Sequence, residues 1–186
     1  MRVFVLCTGR CGSTTFGAAV GHCTNFSAGQ ESRNEFIGAD RFAYPDQHIE
    51  IDNRLSWTLG KLDQTFGDAP HYVHLLRDPE TVAASFVTRH KYGLMKAYRE
   101  GILSKHFNRT PNTPLIDVAR ELVETVTLNI SAFLKDKTRV RVVRVENIAS
   151  DFPDFWDWIG ATGDLGDALA EWQVRHNATT LPFQRD

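Results

Sequence analysis

The sequence has no long apolar run, no excess of basic residues and few cysteines. No stretch approaches the ~20 consecutive apolar residues that a membrane-spanning helix needs, so we expect no membrane span. The formal net charge of the 186 residues is −2. A chain with this charge has no overall positive field, and we expect no nucleic-acid partner. Any site for an anionic ligand must therefore be local.

The three cysteines, Cys7, Cys11 and Cys23, lie close together near the amino terminus. An odd, clustered set argues against a disulfide framework and for reduced thiols in a cytoplasmic protein. The apolar run after Met1 and Arg2 is too short for a secretory signal peptide, which agrees with that location. The cysteines and the seven histidines show no paired metal spacing, so no metal site is predicted.

The pattern of apolar residues predicts alternating strands and helices in one domain that spans residues 1–186. The strand candidates are Arg2–Cys7, Asn25–Ala28, His48–Asp52, His71–Leu76 and Arg139–Val145. Helical spacing recurs across 55–66, 115–133, 152–159 and 165–172. This alternation predicts a three-layer α/β fold with a central, mainly parallel sheet of about four or five strands.

The segment "FVLCTGRCGSTTF", residues 4–16, joins a buried strand to a polar turn that opens a helix. Gly9 and Gly12 permit the backbone geometry of a tight turn. Backbone N–H groups at such a junction, with the positive end of the helix behind them, form an anion site. Arg10 and three consecutive hydroxyl residues, 13–15, suit a phosphate that needs several hydrogen-bond donors. A second interpretation is a simple glycine turn whose Ser13 caps the helix.

Three better-known phosphate motifs do not fit this loop. A nucleotide kinase or GTPase needs a lysine after the second glycine, but Gly12 is followed by Ser13. A cysteine phosphatase needs an arginine six positions after its cysteine, and six positions after Cys7 is again Ser13. The dinucleotide motif fails on glycine spacing. A P-loop-type kinase with a degenerate loop remains as an alternative.

The segment "HYVHLLRDPETVAASF", residues 71–86, gives a second strand-to-helix junction. Asp78 is a good N-cap and Pro79 suits the first helical position. Arg77 would then lie at the carboxyl end of a strand, where open α/β sheets bind their ligands. Ser85, two turns further along the helix, is placed to offer its hydroxyl to a second phosphate. The alternative is that Arg77 pairs with Asp78 or Glu80 on the surface.

Together the two segments resemble PAPS-dependent sulfotransferases, which transfer a sulfuryl group from 3′-phosphoadenosine-5′-phosphosulfate (PAPS). "TGRCGSTTF" resembles the family's loop for the 5′-phosphosulfate, and "LLRDPETVAASF" resembles its segment for the 3′-phosphate. The Arg-Asp-Pro form is most similar to the carbohydrate and tyrosylprotein branches. The resemblance implies a P-loop-like fold and PAPS as co-substrate. It also implies an acceptor that is a small molecule, a carbohydrate or a peptide.

The resemblance also assigns residues to the two phosphate sites. For the 5′-phosphosulfate these are Arg10, Cys11, Gly12, Ser13, Thr14 and Thr15, and for the 3′-phosphate they are Arg77 and Ser85. Cys11 departs from the family, which usually has serine there, although another small side chain should fit. Because the chain is short for the family, acceptor-binding elements are small or come from another subunit. A homo-oligomer is compatible with this expectation.

Sulfuryl transfer needs a base for the acceptor proton and positive charge for the leaving phosphate. Arg10 can supply the charge. "GQESR" is similar to the segment that carries the catalytic glutamate in the tyrosylprotein branch, which implies that Glu31 is the base and that Arg33 lies near the acceptor. Glu31 as a solvated loop acid is the alternative. Asp52, at the carboxyl end of its strand, and His48, at the amino end, rank next as candidates for the base.

Two other segments have mixed signals. Residues 91–114 combine aromatic, basic and proline residues, and we expect a partly helical, partly loop segment on the acceptor side. Near the carboxyl terminus, Arg175, His176 and Asn177 are candidates for a loop that closes over the nucleotide. A non-catalytic nucleotide-binding module remains as an alternative of another class.

Overall fold

The computed structural model of the protein describes residues 1–104, 113–174 and 176. Its sheet has five strands in the order β2-β3-β1-β4-β5, and every neighbouring pair is parallel. The strands are β1 Arg2–Leu6, β2 Ser27–Gln30, β3 His48–Ile51, β4 His71–Leu76 and β5 Val140–Arg144. All five predicted strands are therefore present, with ends that shift by at most two residues. The predicted α/β class and parallel sheet are confirmed.

Seven α-helices in the described part of the chain accompany the sheet. They are α1 Ser13–Val20, α2 Leu59–Phe66, α3 Pro79–Val87, α4 Gly93–Ala97, α5 Leu115–Leu134, α6 Ile148–Trp158 and α7 Leu165–Ala170. On one face, Phe16 of α1 packs against Phe152 and Phe155 of α6. On the other face, Phe4 and Tyr72 of the central strands pack against Phe66 of α2 and Phe133 of α5, respectively. Helices thus cover both faces of the sheet.

The central strand β1 is buried on both faces, which explains its continuous apolar sequence. Val3, Phe4, Val5 and Leu6 are all fully buried. Complete burial of such side chains stabilises a fold by about 1.5–3 kcal/mol each. This strand therefore provides a rigid base for the loop that follows it.

Strand order places the functional segments at one edge of the sheet. Strands β2 and β3 lie on one side of β1, whereas β4 and β5 lie on the other side. The order of the strands therefore reverses between β1 and β4. Ligands of open α/β sheets bind at such a reversal, outside the carboxyl ends of the strands. The loops after β1 and β4 leave the sheet at this edge. The loops after β2 and β3 leave it at the same edge.

The structure differs in detail from two helical expectations. The pattern across 55–66 predicts one helix, but a 3₁₀ turn at Leu55–Trp57 precedes α2. Thr58 separates the two with non-helical dihedral angles, φ −130° and ψ 28°. The segment 91–114 is partly helical, as predicted: it contains α4 and a π-helical turn at Tyr98–Ile102. Its residues 105–112 lie outside the described ones. No helix in the described ranges is long and apolar enough to span a membrane.

Candidate functional site

The loop after β1 has an unusual backbone that leaves the start of α1 open. Gly9, Arg10 and Gly12 have positive φ angles of 80°, 60° and 89°. Gly12 is the N-cap of α1, and no side chain caps this helix. The alternative in which Ser13 acts as the cap is therefore wrong. The first turn of α1 also has no acidic residue, so its N–H groups and positive helix end are available to an anion.

Cys11 contributes backbone rather than side chain to this loop. Its side chain is buried beneath the loop, with 1% exposed, and Cys7 is fully buried beside it. The hydrogen bond between the two thiols raises the pKa of Cys7 and lowers that of Cys11. The resemblance assigns Cys11 to the nucleotide site, and this burial limits that role to the peptide N–H.

Arg10 connects the loop to the second junction. Its Nε donates to Ser85 Oγ on α3 over 2.9 Å, although the two residues are 75 positions apart. Burial lowers the pKa of Arg10, and the nearby charges of Arg89 and Arg77 lower it further. Positive charge thus accumulates where the two junctions meet, and an anion there would relieve the repulsion.

Arg77 extends this positive region beyond α3. The side chains that were its alternative partners are engaged elsewhere: Asp78 accepts from Thr81, and Glu80 pairs with Arg120. Asp78 is the N-cap of α3 and Pro79 its first residue, as predicted. Arg77 itself is exposed. The hydrogen bonds from Thr81 lower the pKa of the adjacent Asp78, and the charge of Arg77 helps to lower it, but Arg77 does not form an ion pair with Asp78. Its guanidinium therefore remains available to a ligand.

A cleft of about 550 Å³ lies between the two junctions. Its lining includes Arg10, Gly12, Ser13, Thr14, Thr15, Arg77 and Ser85. The structure therefore brings together every residue assigned to the two phosphate sites except Cys11. Trp172, Val174 and His176 line the same cleft. His176 also contacts Glu171, at 2.7 Å, whereas Arg175 and Asn177, the other candidates for a closing loop, lie outside the described residues.

Glu31 follows β2 and is held firmly rather than solvated. Asn53 Nδ2 donates to Oε1 over 2.8 Å and Asn34 Nδ2 to Oε2 over 2.8 Å. The Arg54 guanidinium forms an ion pair with the same carboxylate. The residue has a φ of 51°, a strained value for a side chain other than glycine, and such strain is concentrated at functional sites. Three side chains therefore hold the Glu31 carboxylate in place, with 28% of its side chain exposed.

A second, smaller pocket of about 270 Å³ lies between Glu31 and the α3–α4 segment. Its lining shares Arg10, Ser13 and Thr14 with the larger cleft. The two cavities therefore adjoin each other at the loop after β1, where these three residues border both of them. This junction is the main geometric feature of the site.

Sequence reasoning missed several residues of the smaller pocket, three of them beside the proposed base or the arginine cluster. Asn53, Arg54 and Arg89 line it together with Glu31. A signal for the first two exists, because "DNR" directly follows β3 at the ligand-binding edge. Arg33, which the resemblance places near the acceptor, instead donates to the carbonyl of Asp40 and stacks on Phe36.

The other two candidates for the base occupy structural positions. Asp52 is fully buried and forms an ion pair with Arg41, whose side chain is 10% exposed. Asp52 Oδ1 also accepts the backbone N–H of Arg54 over 2.7 Å. His48 lies at the amino end of β3 and contacts Ser27 Oγ at 2.8 Å and Glu50 Oε2 at 3.0 Å. Neither lines the cleft or the smaller pocket.

Glu50, another residue that sequence reasoning missed, organises the loop around Glu31. Its carboxylate is fully buried and accepts from the backbone N–H and the hydroxyl of Ser32, at 2.7 and 2.6 Å. These bonds fix the residue that follows Glu31. Within the described ranges, no group of three or more His, Cys, Asp or Glu side chains is arranged to hold a metal ion.

Comparison with known proteins shows similarity in fold. No protein-family model matches the sequence, and no curated protein matches it significantly. Among solved structures, the chain is similar to a sulfotransferase domain from the curacin biosynthetic pathway, with a TM-score of 0.63 and 15% sequence identity. The match covers 93% of this chain and 78% of that domain. The protein therefore has the fold of a sulfotransferase domain.

Proposed function

We propose that this protein is a PAPS-dependent sulfotransferase that transfers the sulfuryl group to an acceptor hydroxyl or amine. The observation that carries the proposal is the junction of two cavities at Arg10, Ser13 and Thr14. A group held at this junction is accessible from both sides. In-line transfer needs this arrangement, because the acceptor must approach opposite the leaving phosphate.

The larger cleft fits a nucleotide that has phosphate at both ends of its ribose. The open N–H groups of α1, Arg10 and the hydroxyls of residues 13–15 offer donors to the 5′-phosphosulfate. Arg77 and Ser85 offer donors to the 3′-phosphate at the other junction. PAPS supplies the activated sulfuryl group, and the chain binds and orients it.

The residues around Glu31 fit the acceptor half of the reaction. A carboxylate has about four acceptor positions, and Asn34, Asn53 and Arg54 occupy three of them. One position remains to accept the proton of the acceptor. In the proposed reaction this proton passes to Glu31, while Arg10 stabilises the charge that develops on the leaving phosphate.

Binding of PAP, the desulfonated product of PAPS, tests the proposal directly. Tight binding of PAP without magnesium, measured by calorimetry, together with transfer of label from PAPS to an acceptor, would support it. Preference for ATP with magnesium would support the P-loop-type kinase instead. Binding of PAP without any transfer or hydrolysis of PAPS would indicate a non-catalytic module.

Replacing Arg77 with alanine should weaken PAP binding by about 2–3 kcal/mol, the usual contribution of a charge-assisted hydrogen bond. The reason is that Arg77 is exposed and lines the cleft. Calorimetry measures the change. Arg141→Ala is the matched control, because Arg141 is an exposed residue of β5 that lies over Trp158 and does not line the cleft. Equal PAP affinity in Arg77→Ala and wild type would disprove the 3′-phosphate assignment.

Activity should survive chelation by EDTA, because arginine and backbone donors provide the positive charge at the phosphate loop. The measurement is the rate of PAPS consumption with and without an excess of EDTA over any added divalent cation. A strict requirement for magnesium would instead favour the kinase interpretation.

A further inference from the structure

One carboxylate bridges two histidines beside the larger cleft. Glu171 begins a 3₁₀ turn, Glu171–Gln173, that comes directly after α7. Its Oε1 accepts from Nε2 of His22, which follows α1, over 3.1 Å. Its Oε2 accepts from Nε2 of His176 over 2.7 Å. Between 25% and 31% of each of the three side chains is exposed, so this bridge is partly shielded from solvent.

The bridge determines which ring nitrogen of His176 can change its protonation. The hydrogen bonds from the two histidines lower the pKa of Glu171, and an ionised carboxylate can only accept hydrogen bonds. Nε2 of His176 therefore carries a proton whether the ring is neutral or charged. The proton that this ring gains or loses near neutral pH is consequently the one on Nδ1.

His176 lies at the cleft in which the nucleotide is proposed to bind. It lines this cleft together with Trp172 and Val174. Trp172 packs edge-on against Phe16 of α1, with 6.1 Å between the ring centroids. The backbone N–H of His176 donates to the carbonyl of Val174 over 3.1 Å. Backbone and side-chain contacts thus hold His176 beside the cleft.

The other charges at the cleft make protonation of His176 depend on the ligand. The described residues that line the cleft include two arginines, Arg10 and Arg77, and no carboxylate. α1 has no charged side chain, so the charges on that side are Glu171 and, beyond it, His22. The arginines oppose a further positive charge on His176, and Glu171 favours it. The phosphates of a bound nucleotide add negative charge and thereby favour the protonated imidazole.

We propose that binding of the nucleotide is coupled to uptake of a proton by His176, and that Glu171 is the positioning residue for this coupling. The inference rests on the proposed function and adds to it a regulation of nucleotide affinity by pH. Protonated His176 has a second N–H at Nδ1 and adds a third positive charge to the cleft. Histidine side chains ordinarily titrate at about pH 6.5. Affinity for PAP therefore gains this contribution at acidic pH and loses it as the pH rises through that range.

Calorimetry of PAP at about pH 6 and about pH 8.5, on either side of the imidazole range, tests the coupling. The phosphate groups of PAP titrate in the same range, so the comparison is made between wild type and His176→Gln. Glutamine cannot gain a proton but keeps a donor for Glu171. The ratio of Kd at the higher pH to Kd at the lower pH should be about threefold larger in wild type, the size of a partly exposed ionic interaction.

Equal ratios in wild type and His176→Gln would overturn the inference. Absence of PAP binding by wild type at both pH values would instead refute the proposed function. The number of protons taken up gives a second measurement, from titrations at about pH 7 in two buffers with different heats of ionisation. Wild type should take up more protons per bound PAP than His176→Gln, and an equal number would also overturn the inference.

Glu171→Gln tests the positioning role. It keeps the size of the side chain but removes the charge that favours protonated His176. We expect its pH dependence of PAP affinity to match that of His176→Gln, although His176 itself is unchanged. A merely structural role would weaken PAP binding equally at both pH values, and that result would overturn the role of Glu171. So would a pH dependence equal to that of wild type.

His90→Gln is the matched control for these variants. It makes the same change at a half-buried histidine whose Nδ1 contacts the carbonyl of Val87. His90 lines neither the larger cleft nor the smaller pocket, so its pH dependence of PAP affinity should equal that of wild type. A loss of pH dependence in His90→Gln as large as that in His176→Gln would show that the coupling does not arise at the cleft.

Discussion

Replacing Glu31 with glutamine is expected to lower the rate of sulfuryl transfer by about 10²–10⁴, the usual contribution of general-base catalysis. Glutamine keeps the size of the side chain and part of its hydrogen bonding but cannot take the acceptor proton. PAP affinity should barely change, because Glu31 lines the smaller pocket and not the nucleotide cleft. The measurement is the turnover number at saturating PAPS and acceptor, together with calorimetry of PAP.

Glu35→Gln is the matched control for this experiment. It makes the same chemical change in the same loop, at an exposed side chain that lines neither the cleft nor the smaller pocket. Its turnover number should equal that of wild type. Near-normal turnover in Glu31→Gln would show that the base lies elsewhere.

The other two candidates for the base provide a further comparison. Asp52→Asn leaves Arg41 without its buried partner, which should lower the free energy of unfolding by about 3–5 kcal/mol. His48→Gln changes a buried residue far from the ligand-binding edge and should leave turnover unchanged in the folded protein. If a fully folded His48→Gln or Asp52→Asn variant lost turnover while Glu31→Gln kept normal turnover, the base would be the replaced residue, in β3 or directly after it.

Replacing Arg10 with alanine is expected to lower the turnover number by about 10²–10³, the range for removing one donor from developing negative charge. Arg10 lies where the two cavities meet, so its guanidinium can contact the group that is transferred and the phosphate that leaves. The same change removes the hydrogen bond to Ser85 and should also weaken PAP binding. Single-turnover measurements with bound PAPS separate the chemical step from binding.

Arg10→Lys distinguishes charge from geometry at this position. Lysine keeps the positive charge but lacks the planar arrangement of donors, so we expect it to restore only part of the turnover. Arg141→Ala, which removes an exposed arginine outside both cavities, should have no effect. A turnover number for Arg10→Ala within threefold of that of wild type, about 0.6 kcal/mol, would refute the electrostatic role.

The sequence by itself determined the elements that depend on neighbouring residues. The signals for these elements involve only a few neighbouring residues. They are the apolar run of β1, the N-cap Asp78 followed by Pro79, and the positive-φ glycines of the loop after β1. Strand–helix alternation then predicted the parallel sheet, because parallel strands need crossover connections. The same local signals placed the two strand-to-helix junctions of the proposed site at strand ends.

Only the tertiary structure decided which side chains meet and which are buried. Asp52 and Glu31 both follow strands at the ligand-binding edge, but Asp52 packs into the interior against Arg41, whereas Glu31 borders a pocket. Burial of Cys11 and the contact between Arg10 and Ser85 depend on packing between distant parts of the chain. Asn53 and Arg54 belong to the site because β2 and β3 are adjacent in the sheet, which brings the loops after them together. Such contacts arise from the order of strands in space, and local sequence patterns carry no information about them.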